Sequence, residues 1–278
     1  MLKVDSPIVS VDWLYDNINA DNLIILDATI QKVGAKADSK KKKKQIKNAV
    51  FFDLKNTFLD TEGKYPNTIP SENHFEKEVQ QLGINKDSCI VVYDDLGVYS
   101  APRAWWLFRT FGFINIAVLN GGFLAWEEAG YTIESKKERE STVGNFVANL
   151  NKDKVSETEE VLIASHNKKN ILDARSKGRF YATEPEPRKD LRVGHIPNSK
   201  SLPYVELQVD GKMKSKEELQ KMFSEINPKE EEMIFSCGSG ITACILALGA
   251  EISERINYSV YDGSWTEWAS RLELPVEK

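Results

Sequence analysis

Short apolar runs alternate with longer helix-period stretches along all 278 residues. Leu23-Ile24-Ile25-Leu26, Ile90-Val91-Val92-Tyr93 and Met233-Ile234-Phe235-Ser236 are apolar runs bounded by polar residues, which predicts buried strands. Phe75 to Leu82 and Lys216 to Ile226 carry helical spacing and precede two of these strands, while Ala104 to Phe108 and Ala243 to Leu248 follow them. Strand and helix in alternation predict an α/β fold, a parallel sheet flanked by helices on both faces. In such sheets ligands sit at the carboxyl ends of the strands.

The pattern occurs twice. Leu23 to Ala28 matches Asn170 to Ala174, Asn48 to Asp53 matches Asn198 to Pro203, Ile90 to Asp94 matches Met233 to Cys237, and Val118 to Gly122 matches Val260 to Ser264. Four matches in one order at nearly constant separation indicate a tandem duplication, and a period this long means duplicated domains. We expect an N-terminal domain at 1–135, a polar linker at 136–153 and a C-terminal domain at 154–278.

A length of 278 residues suits two domains of ordinary size, and the composition is globular. The formal net charge of −5 speaks against nucleic acid as a partner. The run Lys40 to Lys44 is expected to be a solvated loop rather than a localisation patch. No stretch is long enough to cross a membrane, and Met1 to Asp5 opens no signal-peptide apolar core, so the expected location is cytoplasmic. Three cysteines, Cys89, Cys237 and Cys244, make no disulfide framework, which fits a reducing compartment. His74, His166 and His195 are scattered without zinc spacing, so neither a metal nor another cofactor is expected.

One segment carries nucleophilic chemistry. Cys237-Gly238-Ser239-Gly240-Ile241-Thr242 places a thiol at the end of a predicted strand, on a glycine-rich loop that opens a helix. Glycines let successive amides turn toward one point, and a helix N-terminus adds positive potential there. Both would stabilise a thiolate on Cys237. Cys244, among Ile245, Leu246 and Leu248, reads as a buried core thiol, as does Cys89.

These residues resemble the rhodanese superfamily, and among its members the two-domain sulfurtransferases that use 3-mercaptopyruvate. Supporting segments are Asp173-Ala174-Arg175 with Gly178-Arg179-Phe180, Thr183 to Arg188, Gly194-His195-Ile196-Pro197, Tyr261 to Trp268, and Tyr99 to Trp106. The resemblance implies two rhodanese-like domains and sulfur transfer through a Cys237 persulfide, the acceptor being cyanide or a thiol such as thioredoxin or a low-molecular-weight thiol. It also implies that Arg179 and Arg188 hold the donor, with Gly238, Gly240 and Ile241 forming the loop around it. Arginine suits this role because its fork pairs with carboxylate and ketone oxygens.

Ser239 and Thr242 are expected to donate hydrogen bonds or relay a proton, with helix capping as the structural alternative. The resemblance implies a relay that adds an Asp and a His from the first half. Lys55 and Asn67 stand at those positions, so that relay is not expected to be complete. His195 is expected to be a structural turn residue, and Trp265 and Trp268 core or cleft wall. Asp94 takes the place of Cys237 in the first half, which leaves one reaction centre, with the N-terminal half expected to supply a cleft wall. Thiosulfate is the alternative donor, but the loop lacks the cationic pair that thiosulfate-using relatives carry. A Cys-based phosphatase would need an arginine where Ala243 stands.

Overall fold

The computed structural model describes residues 1–31, 44–137 and 142–278. Lys40 to Lys43 of the basic run lie outside the described residues, while Lys44 stands 3.7 Å from Glu127. The chain forms two compact units. The first comprises 1–61, 70–150 and 210–213, and the second comprises 62–69, 151–209 and 214–278.

The first unit contains β1 (Ile8–Val9), α1 (Val11–Asn17), β2 (Leu23–Asp27), β3 (Lys44–Ile46), β4 (Val50–Phe51), α2 (Glu72–Gln81), β5 (Cys89–Tyr93), α3 (Ala101–Thr110), β6 (Ile116–Leu119), α4 (Gly122–Glu128) and β7 (Ile133–Ser135). The chain continues with β8 (Val155–Ser156), α5 (Thr158–His166), β9 (Asn170–Asp173), α6 (Lys177–Phe180), β10 (Lys200–Ser201) and β11 (Gln208–Val209). Then follow β12 (Lys212–Met213), α7 (Lys216–Ile226), β13 (Met233–Ser236), α8 (Ala243–Ile252), β14 (Tyr258–Tyr261) and α9 (Ser264–Ser270).

Each unit is built on a five-stranded parallel sheet, ordered β4-β2-β5-β6-β1 in the first and β10-β9-β13-β14-β8 in the second. The two orders agree strand for strand, as duplication requires. The backbone repeats in detail as well: Asn48 and Asn198, one copy each, have φ of 64° and 62°. Every residue of β5, β6, β13 and β14 is buried, the signature of a sheet covered on both faces.

Helices lie where their boundary chemistry permits. The Ser71 hydroxyl accepts from His74 N and starts α2, which turns Phe75 and Val79 inward. Ser215 and Glu218 form a capping box on α7, which buries Leu219 and Phe223. Helices α3 and α8 are buried nearly all round and lie deep in their units. Phe52, Phe58, Phe75, Phe108 and Phe146 stack in the first core, and Val161, Ile171, Ile234, Trp265 and Trp268 fill the second.

The stretch expected as a linker departs from that reading. Gly144 N donates to Gln80 O, Gln80 Nε2 to Phe146 O, and Phe146 N to Ile84 O. Ala148 N and Leu150 N donate to Glu76 and Glu72, and Phe146 is fully buried. The segment 142–150 is thus strapped onto the first unit. Its alternation of buried Phe146 and Ala148 with more exposed neighbours is an extended-chain pattern hidden within a polar composition.

Candidate active site

Strand β13 ends at Ser236 and α8 begins at Ala243, so Cys237 to Thr242 form the strand-to-helix loop that the sequence predicts. Cys237 is buried, and Gly240 turns the chain with φ of 78°, a conformation glycine adopts without a steric cost. The start of α9 is stitched to this loop. Cys237 N donates to Ser264 Oγ at 3.1 Å, Trp265 N to Cys237 O at 3.0 Å, and Thr266 N to Gly238 O at 2.9 Å. The Ser264 hydroxyl gives its proton to Tyr261 O at 2.8 Å and lies 3.9 Å from Cys237 Sγ.

Arg179 reaches this loop, and Arg188 reaches the start of α9 that is bonded to it. Arg179 lies over Gly238, where an added methyl would stand 3.1 Å from its Nη2. Its fork is held by Glu186, with Nη2 2.7 Å from Oε2 and Nε 3.3 Å from Oε1. Glu186 is itself fixed by Arg175, whose Nη1 is 2.8 Å away and whose other donors go to Asp173 and Gly194 O. The Arg175 guanidinium lies over the Trp265 ring, 4.4 Å from its centre. Arg188 Nη1 donates to Thr266 Oγ1 at 3.2 Å, and that hydroxyl donates on to Gly238 O at 2.5 Å. Burial lowers the Arg188 pKa from the usual arginine range, and the charge of Arg179 adds to this, while Cys237 and Glu186 oppose it. Arg179 directly and Arg188 through Thr266 thus meet at Gly238, the residue after the buried thiol.

Ser239 is buried, and Asn67 Nδ2 donates to its Oγ at 2.9 Å and to its carbonyl at 3.1 Å. Asn67 belongs to 62–69, the part of the N-terminal sequence that groups with the second unit. Thr242 occupies the N-cap position of α8 without a side-chain cap hydrogen bond, so capping does not explain its hydroxyl. Ile241 is buried, and its carbonyl accepts from Cys244 N. Lys55 lies in the first unit, where its backbone N donates to Asp53.

The residues read as structural behave as such. Cys244 is fully buried with Sγ 3.3 Å from Gly240 O, and burial pushes the Cys89 thiol up to about 11. His195 stacks on Phe180 with Nδ1 3.0 Å from Phe180 O. Trp265 and Trp268 are core. Glu186 and Thr266, which hold the two arginines, lie inside segments that carry the resemblance, but their sequence positions do not announce that contact. Their signal was proximity to the arginines, which only tertiary structure reveals.

The rhodanese-like domain family matches residues 10–129 and 157–271. The chain is 36% identical over 274 residues to the 3-mercaptopyruvate sulfurtransferase of Escherichia coli K12, covering 97% of each. It is 38% identical over 275 residues to the thiosulfate sulfurtransferase of Rattus norvegicus, covering 95% of this chain and 92% of the relative. The crystal structure of the 3-mercaptopyruvate sulfotransferase SseA from Escherichia coli superposes with a TM-score of 0.83 at 34% identity, covering 94% of this chain and 99% of that one. With two domain matches and relatives aligned nearly end to end, the chain belongs to the rhodanese-like family of sulfurtransferases and carries its domain twice.

Proposed function

We propose that this chain moves the terminal sulfur of 3-mercaptopyruvate to a thiol or cyanide acceptor through a persulfide on Cys237, releasing pyruvate. The observation that carries this reading is the meeting of Arg179, directly, and Arg188, through Thr266, at Gly238 beside the buried Cys237, on a loop that holds no charge of its own. A keto acid offers a carboxylate and a ketone to two guanidinium forks, which would leave its sulfur to face the thiol. The Cys237 thiolate attacks that sulfur; an S–S bond forms and the C–S bond breaks, its electron pair passing to the carbonyl as an enolate. The methylene carbon then takes one proton to give pyruvate. In the second half-reaction the acceptor attacks the outer sulfur and the Cys237 thiolate leaves.

Catalysis belongs to the C-terminal copy, because the N-terminal copy has Asp94 where the nucleophile would stand. The acceptor is a thiol such as thioredoxin, or a low-molecular-weight thiol, in a reducing compartment such as the cytoplasm. Three cysteines without a disulfide fit that setting, and no described helix is long and apolar enough to cross a membrane.

Intact mass measurement after incubation with 3-mercaptopyruvate tests the reading. We expect a gain of one sulfur atom, lost on adding thiol and absent in Cys237→Ser; no adduct on the wild type would overturn it. The rat relative supports thiosulfate as a second donor. The uncharged Gly238-Ser239-Gly240 offers a compact dianion no cation of its own, so kcat/KM should favour the keto acid. A clear preference for thiosulfate would reverse that order.

A further inference from the structure

The segment 62–69 is tied to the rest of the second unit at two points. Ile69 N donates to the buried Asp262 carboxylate at 2.6 Å. Two residues earlier, Asn67 places one amide group on both oxygens of Ser239. Asn67 is 4% exposed and has φ of 65°, a left-handed conformation that asparagine tolerates better than most residues. A carbonyl oxygen can only accept a hydrogen bond, so the group facing Ser239 O is the NH2 end of the amide. The same NH2 therefore donates to Ser239 Oγ. A hydroxyl has one proton and two lone pairs; Asn67 fills a lone pair and turns the proton elsewhere.

We propose that Asn67 is a positioning residue for the keto-acid reaction, holding Ser239 so that its hydroxyl donates to the enolate oxygen of the departing pyruvate. This rests on the function proposed above and assigns it a specific device. Neither an amide nor a serine hydroxyl titrates near neutral pH, so the pair moves no proton. Ser239 supplies a fixed donor where negative charge develops as the C–S bond breaks, and water or the substrate's own thiol provides the proton for carbon. A donor without a carbonyl, such as thiosulfate, makes no enolate and has no use for that hydrogen bond.

Steady-state kinetics with both donors test the assignment. Asn67→Asp turns the partner into an acceptor and draws the Ser239 proton onto itself, so kcat for 3-mercaptopyruvate should fall about 100-fold with KM nearly unchanged. The ratio of keto-acid to thiosulfate kcat should fall with it. Asn67→Ala should give a smaller loss, about tenfold, in the same ratio. Asn67→His, which can still donate, should recover most of kcat and add a pH dependence in the imidazole range near ~6.5. Equal losses with both donors, or a rise in KM alone, would overturn the role of Asn67. Failure of the wild type to form any persulfide from 3-mercaptopyruvate would instead remove the reading on which it rests.

Discussion

After β5 the chain enters its loop with Asp94; after β13, the matching strand, it enters with Cys237. Both side chains are buried at the same point of the same fold. Asp94 fills its own loop, with Oδ1 accepting from Leu96 N at 2.9 Å and Oδ2 from Tyr99, Ser100 and Ala101 N at 2.8 to 2.9 Å. In this copy the cup of amides is saturated by an anion covalently attached to it. The second copy puts a thiol there, with Arg179 over the next residue, Gly238, and Arg188 linked to the same residue through Thr266. The difference extends to the next crossing of the sheet. A methyl on Gly122 would come within 2.4 Å of Asp94 O and Gly97 O, whereas the matching Ser264 keeps the same left-handed backbone and uses its side chain to accept from Cys237 N. A backbone cup with a permanent occupant serves structure, and one with a reactive occupant can serve chemistry.

The largest effect should come from forcing the second copy's solution on the first. Gly122→Ala meets backbone on two sides in a strained conformation and should cost about 3 kcal/mol or more, whereas Ser264→Gly trades a hydrogen bond for relief of strain and should stay within about 1 kcal/mol. Urea unfolding of both proteins measures this, and equal costs would break the comparison.

Next is the guanidinium that lies over Gly238 in the Cys237 loop. Arg179→Lys loses the fork held by Glu186 and should lower kcat/KM for 3-mercaptopyruvate about 10- to 100-fold. An unchanged value would mean that Arg179 does not hold the donor.

The smallest effect concerns the filled cup. Burial pushes the Asp94 carboxyl up to about 6, against four amides that pull it down. A carboxyl with a raised folded-state pKa binds its proton more tightly when native, so its contribution to stability is full below the unfolded value near ~3.9 and is lost as pH rises toward about 6. Asp94→Asn should remove that part of the slope at a cost of about 1–2 kcal/mol, because its NH2 must face a backbone N–H. Urea midpoints of the two proteins between pH 4 and 7 give the difference, and parallel curves would contradict it.

What could be read beforehand follows from how local each signal is. Helix α7 runs from Lys216 to Ile226 as its periodicity predicts, and β5 and β13 fall on the apolar runs. Helix α2 starts three residues before the expected Phe75, because a serine hydroxyl rather than an apolar residue begins it. Strands β1, β8 and β10 have two residues each and therefore no period to detect. Ile8 becomes a strand residue only by pairing with Val118. Cys237 was legible because its glycines, strand and helix are neighbours in sequence. The hold of Asn67 on Ser239 spans 172 positions, and no local pattern encodes it. The seat of Phe146 among Phe75, Phe108 and Phe113 was hidden in the same way.

The segments on which each unit draws bear on whether the protein can be cut in two. A fragment starting at Asn151 would keep Cys237, Arg179 and Arg188 yet lose Asn67 from Ser239 and the Ile69 amide from Asp262. A fragment ending at Ser135 would uncover the aromatic cluster that Phe146 completes. Duplication left two copies of one fold, and each unit includes a segment from the other half of the chain, 210–213 in the first and 62–69 in the second. Neither half remains a transferable module, and a recombination event that separated them would inherit two incomplete proteins.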